Sequence, residues 1–184
     1  MGSDTPPTLV YLGLGANLGD RQAAIERALA LLARVCGPLE RSTIYETPPW
    51  GDPDQPPYLN LVVRGGTRLR PDELLQAAKE IERALGRRAT RRWGPRVIDI
   101  DLLAYGDLVV QTPTLQVPHP RLHERGFVLV PLVELAPAWR HPVLHRTAAE
   151  LLASLPPQET AGVTPWSGSH GRTRKPSPPP VEER

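Results

Sequence analysis

Residues 92–103 read RWGPRVIDIDLL. Acids alternate with apolar residues in its second half. Side chains at i and i+2 of a strand point the same way, so Asp99 and Asp101 share one face while Ile98, Ile100 and Leu102 share the other. Two carboxylates about 7 Å apart repel by about 2 kcal/mol at an effective dielectric near 20, and a cation relieves that repulsion. A hard divalent ion such as Mg²⁺ takes one or two carboxylates and completes its shell with water and substrate phosphates. Arg92 and Arg96, just ahead of the acids, carry planar forks suited to phosphate. The competing reading is a strand with a solvated face whose acids pair with nearby arginines.

The rest of the chain sets this strand in a pattern. TLVYLGL (8–14) predicts a buried strand, and the stretch after it carries Ile25, Leu29, Leu32 and Val35 at helical spacing up to Gly37-Pro38. LERSTIYE and YLNLVVRGG predict short strands, separated by TPPWGDPDQPP, whose five prolines and one glycine exclude regular structure. RPDELLQAAKEIERALG predicts a helix with Pro71 in its first turn and Gly86 after its last. Past the Asp strand, YGD (105–107) predicts a turn into LVVQ. The order β-α-β-β-α-β is that of a ferredoxin-like α+β fold, an antiparallel-rich sheet with helices on one face. A last helix starts at Thr147, where TAAE forms a capping box. Beyond Leu155 the chain is rich in Pro, Ser, Gly and charge, which predicts disorder. The expected division is one catalytic domain over 1–160 and a Pro/Ser/Arg-rich tail over 161–184.

Composition narrows the class. A chain of 184 residues with 40% hydrophobic content can bury one core. The longest apolar run, FVLVPLVELA from Phe127, is broken by Pro131 and is too short for a bilayer. No signal pattern opens the sequence, so a cytoplasmic protein without membrane attachment is expected. Cys36 is the sole cysteine and reads as a small buried hydrophobe. The net charge of +2 resides in the tail, but Arg87, Arg88, Arg91, Arg92 and Arg96 form a local basic cluster.

Several stretches have two readings. GLGANLGD is one residue out of step with a dinucleotide fingerprint and reads as a tight strand-to-helix turn, with Asn17 or Asp20 at the cap. The proline-stiffened loop offers Trp50 and Tyr58 as flat faces and Asn60 as an amide, a set suited to a planar heterocycle; the alternative is a rigid surface loop. His119 with His123 and His141 with His145 are i, i+4 pairs, but they lie among prolines and do not read as zinc ligands; His119 reads as a phosphate donor. RGFVLV (125–130) echoes an RNA-recognition sequence, making a non-catalytic RNA-binding module the rival reading. The near-neutral body and scarce aromatics weigh against it.

RWGPRVIDIDLL resembles the signature of the 6-hydroxymethyl-7,8-dihydropterin pyrophosphokinase family, and GLGANLGDR, TPPWGDPDQPPYLN and VPHPRLHERGFVLVPL resemble its other blocks, in the same order. The resemblance implies a three-layer form of the fold and transfer of diphosphate from ATP to the pterin hydroxymethyl group, with release of AMP, in folate biosynthesis. It implies that Asp99 and Asp101 hold two Mg²⁺ ions and that Thr47, Pro48, Trp50, Tyr58, Asn60 and Phe127 form the pterin pocket, which Trp93 and Asp99 adjoin. Arg87, Arg96 and Arg125 are the implied phosphate ligands, with Arg88 as the second loop arginine. Trp93 and His119 line the nucleotide side, with Glu82, Leu102 and Pro120 at further ATP-facing positions. Lys79, Thr114 and Gln116 fall where members of the family differ. The expected partners are small molecules, ATP and the hydroxymethyldihydropterin, and not nucleic acid, with the chain a monomer open to contact with dihydropteroate synthase.

Overall fold

A computed structural model describes residues 6–49, 54–87 and 95–168. The chain runs β1 (Thr8–Ala16), α1 (Arg21–Cys36), β2 (Glu40–Arg41), β3 (Tyr45–Thr47), β4 (Tyr58–Thr67), α2 (Pro71–Ala84), β5 (Asp99–Tyr105), β6 (Val110–Gln111), β7 (Gln116–Val117), α3 (Gly126–Leu135), α4 (Ala148–Ala153), α5 (Pro157–Thr160) and β8 (Thr164–Pro165). The main sheet has the order β5-β1-β4-β3-β8, with β2 beside β4. Its pairings are antiparallel. β6 and β7 form a separate hairpin.

Local chemistry sets the helix ends. Asp20 caps α1, its Oδ1 accepting from Ala23 N at 3.0 Å. Gly37, at φ 63°, turns the chain out of the helix. The Glu73 carboxylate accepts from Arg70 N at 2.8 Å at the start of α2. Thr147 and Glu150 make the expected reciprocal cap on α4.

The sheet is covered on both faces, as the three-layer form implied by the resemblance requires, and not on the one face read from element order alone. Val10, Leu12, Leu14, Ile98, Ile100 and Leu102 pack under α1 and α2 with Ile25, Leu32 and Leu74. Tyr11, Val62, Leu103 and Ala104 pack on the opposite face with Leu129 and Leu132 of α3 and Leu151 of α4. Residues 125–130, the stretch reminiscent of RNA readers, open helix α3 instead of lying on a strand, and that helix covers the face an RNA platform would need open. The apolar run from Phe127 is therefore a core helix, and among the described residues no helix is long and apolar enough to cross a membrane.

The segment after Leu155 also departs from expectation. Residues 157–165 form α5 and β8, and β8 adds to the sheet at β3. A low-complexity composition concealed two short elements whose stability comes from tertiary pairing and not from their own propensity. Residues 169–184 lie outside the described residues.

Candidate active site

β1 is the centre of the sheet, and its glycines make a hole in it. Gly15 pairs with Asn60 on one side and Asp99 on the other, and Gly13 pairs with Asp101. A Cβ on Gly15 would lie 2.8 Å from Asn60 Oδ1, and one on Gly13 would touch Leu103 at 3.4 Å. GLGANLGD is thus only partly a turn: Gly19, at φ 67°, makes the turn, while Gly13 and Gly15 are the floor of a cavity. That cavity has a volume of about 250 Å³, and Thr47, Pro48, Tyr58, Asn60, Arg96, Asp99, Asp101, His119, Arg125 and Phe127 all line it. The wall formed by β3 and β4 is internally fixed, with Asn60 Nδ2 donating to Thr47 Oγ1 at 2.7 Å. The opposite rim is the N-terminus of α3, where the Arg125 guanidinium stands 5.5 Å from the Phe127 ring centroid. The positive end of the helix dipole faces the same side, which favours anions.

The two aspartates are electrostatically unequal. Asp99 accepts from Arg87 Nη1 at 2.8 Å and pairs closely with Arg96. Burial pushes its carboxyl up, but Arg96, Arg87 and Lys79 outweigh that and hold it below the usual carboxylate range. Asp101 has no hydrogen-bonded partner among the described residues. Burial, and then the neighbouring Asp99 charge, push it up to about 6. His119 accepts at Nδ1 from Arg121 N at 3.1 Å, so its neutral form carries the proton on Nε2 and can donate. Burial and Arg125 depress it to about 4, so it stays neutral at pH 7.

Glu82 and Leu102 sit differently from expectation. Glu82 is 1% exposed and buried under the site. It accepts from Ile100 N at 2.6 Å and from Lys79 at 2.9 Å and pairs with Arg87, so it supports the cavity instead of facing into it. The Leu102 side chain is in the α1/α2 core, because alternation along β5 gives the cavity face to Leu103. Pro120 and Gln116 border a second hollow of about 480 Å³ beside the β6–β7 hairpin. Thr114 lies exposed in that hairpin's turn. Trp50, Arg88, Arg92 and Trp93 lie outside the described residues.

Asn17 leaves the α1 cap to Asp20. It is 2% exposed and joins two loops. Its backbone N–H donates to Arg96 O at 3.0 Å, its Oδ1 accepts from Arg96 N at 2.8 Å, and its Nδ2 donates to Gln55 Oε1 at 3.1 Å and Pro56 O at 3.3 Å. No local pattern marks that role, since its partners lie far away in sequence.

Residues 11–137 match the profile of the family 7,8-dihydro-6-hydroxymethylpterin-pyrophosphokinase (HPPK). The chain belongs to this family. The pyrophosphokinase is 49% identical over 152 residues to the 2-amino-4-hydroxy-6-hydroxymethyldihydropteridine pyrophosphokinase of Methylorubrum extorquens, covering 82% of this chain and 95% of the relative. It is 43% identical over 141 residues to the enzyme of the same name from Aquifex aeolicus, covering 77% and 88%. Among solved structures, wild-type HPPK-DHPS of Plasmodium falciparum superposes with a TM-score of 0.67 at 18% identity. That match takes in 82% of the pyrophosphokinase and 45% of the longer chain, so it speaks to the fold.

Proposed function

We propose that this pyrophosphokinase transfers diphosphate from ATP to the hydroxymethyl oxygen of 6-hydroxymethyl-7,8-dihydropterin, releasing AMP, as a cytoplasmic step of folate biosynthesis. One observation carries the reading: a glycine-floored cavity places a fixed amide–hydroxyl pair, Asn60 with Thr47, across β1 from two adjacent carboxylates ringed by arginines. The amide–hydroxyl wall suits the polar edge of a planar heterocycle, and Phe127 and Tyr58 offer it flat faces.

The residues fit Mg²⁺. Asp101 is a half-buried carboxylate with no hydrogen-bonded partner among the described residues, next to a second carboxylate, and hard oxygen donors suit that ion. Asp99 and Asp101 would hold two such ions, with phosphate oxygens and water as further ligands. Bound there, Mg²⁺ supplies charge neutralisation and in-line alignment of the phosphates. The chain does the rest by positioning. Arg87 and Arg96 are pre-set by Asp99 and Glu82 at the rim, Arg125 and the start of α3 face the same space, and neutral His119 donates from Nε2. Both Asp99 oxygens accept from these guanidiniums, so metal and phosphate binding would exchange those contacts for new ones within the same cluster.

The catalytic unit extends past residue 160 to include β8. It works as a monomer, and the fused HPPK-DHPS chain supports contact with dihydropteroate synthase. The test is incubation with ATP, Mg²⁺ and the pterin, followed by chromatography with mass detection. AMP formed one for one with the diphosphorylated pterin is expected. ATP binding without AMP would mean a different acceptor.

A further inference from the structure

Residues 157–166 lie over the wall of the cavity that carries Thr47 and Pro48, and the mechanism above makes no use of them. β8 pairs with β3 so that Thr164 faces Glu46 and Pro165 faces Tyr45. Trp166 N donates to Ile44 O at 2.8 Å. The segment touches both rims of the cavity: a Cβ on Gly162 would lie 2.8 Å from Pro48 Cγ, and one on Gly126 would lie 1.9 Å from Glu159 O. At its end, the Trp166 ring centroid stands 5.0 Å from the Arg21 guanidinium carbon.

Arg21 is the link to the site. Its Nη1 donates to Pro57 O at 2.7 Å, and its Nη2 pairs with Glu46 Oε2 at 2.9 Å, with the side chain only 15% exposed. Pro57 and Glu46 immediately precede Tyr58 and Thr47, which face each other in the β3–β4 ladder and line the cavity. One guanidinium therefore fastens both strands at the point where the pterin wall begins. A guanidinium over an indole face is attracted by the ring quadrupole, and a ring on that side keeps water from competing for the arginine. Asp99 and Asp101 of the ATP side are on β5, across β1 and β4 from this strap.

Resting on the reading of the cavity as a pterin pocket, we propose that Trp166 is a positioning residue for the pterin substrate: it pins Arg21, which sets the spacing of Thr47 and Tyr58. Full-length Trp166→Ala, Trp166→Leu and Trp166→Phe variants are compared with the wild-type chain by steady-state kinetics, varying the pterin at saturating Mg·ATP and then the reverse, with thermal unfolding run alongside. The Ala and Leu variants are expected to raise the pterin KM about tenfold, the size of one lost charge-assisted hydrogen bond. Their ATP KM and kcat stay within about twofold, and the Phe variant, which keeps an aromatic face, stays near wild type. Both KM values rising together, a fall in Tm with the pterin KM unmoved, or a Phe variant as impaired as the Ala variant would each overturn the proposal. Wild-type protein that makes no AMP would overturn the functional reading and the strap with it, whereas active wild type with unmoved variants overturns the strap alone.

Discussion

Asp101→Asn is expected to make the metal-free protein more stable, although it removes a residue placed at the centre of the chemistry. In the native state the Asp101 carboxyl is pushed from 3.8 to about 6. At 1.36 kcal/mol per unit, two units amount to about 3 kcal/mol. The sign follows from proton counting: between about pH 4 and 6 the native state keeps a proton that the unfolded chain has lost, so this contribution makes stability fall as pH rises through that window. His119 acts oppositely. Its pKa drops from 6.5 to about 4, so its contribution is full above pH 6.5 and is lost as pH falls towards 4. The two slopes oppose each other in the wild-type chain. Asp101→Asn removes the falling slope and leaves the rising ones of His119 and of His141, which burial also lowers. Urea unfolding followed by tryptophan fluorescence in EDTA should show a gain of up to about 3 kcal/mol at pH 8, about 6–12 °C in Tm for a chain of this size, and none at pH 4. Mg²⁺ should stabilise the wild type more than the variant. A variant less stable than wild type at pH 8, or an equal gain at pH 4, would refute this account of Asp101.

Three further changes test the framework around it. Gly15→Ala puts a methyl 2.8 Å from Asn60 Oδ1 and should raise the pterin KM about tenfold, with the ATP KM little changed in the same assay. Asn17→Ala removes three side-chain hydrogen bonds between the two loops; a loss of about 1–3 kcal/mol in urea unfolding and a lower kcat are expected, and an unchanged kcat would show that the loops hold without it. Glu82→Gln takes the charge from a buried acid that holds Lys79 and Arg87, and should cost about 3–5 kcal/mol by urea unfolding; a neutral change would remove Glu82 from the support of Arg87.

The parts of this protein legible in its sequence are those written in short-range periodicity. Asp99 and Asp101 emerge on one face because strands alternate, and α1, α2 and the α4 cap emerge from helical spacing and end chemistry. Tyr58 and Asn60 stand out in the sequence beside the proline-stiffened loop, and both line the cavity, whereas Thr47 comes only from the family resemblance. What stayed hidden depends on partners distant in the chain. Gly13 and Gly15 look like turn glycines until β4 and β5 are placed on either side of β1. Asn17 meets Gln55 and Arg96 only in the folded chain. The second helical layer follows from the family resemblance and not from periodicity, because α3 is apolar nearly all round with Pro131 inside it, and spacing alone does not tell such a run from a buried strand. β8 is two residues long and has no signal without β3 to pair with.

The position of β8 also bears on solubility. Without it, β3 would present bare N–H and C=O groups along the sheet's outer edge, a template for pairing with a strand from another molecule. β8 covers that edge and presents Pro165, which lacks the N–H needed to extend the ladder further. A chain ending near Leu155 would therefore trade a closed edge for an open one, and self-association would rise whatever happened to its activity.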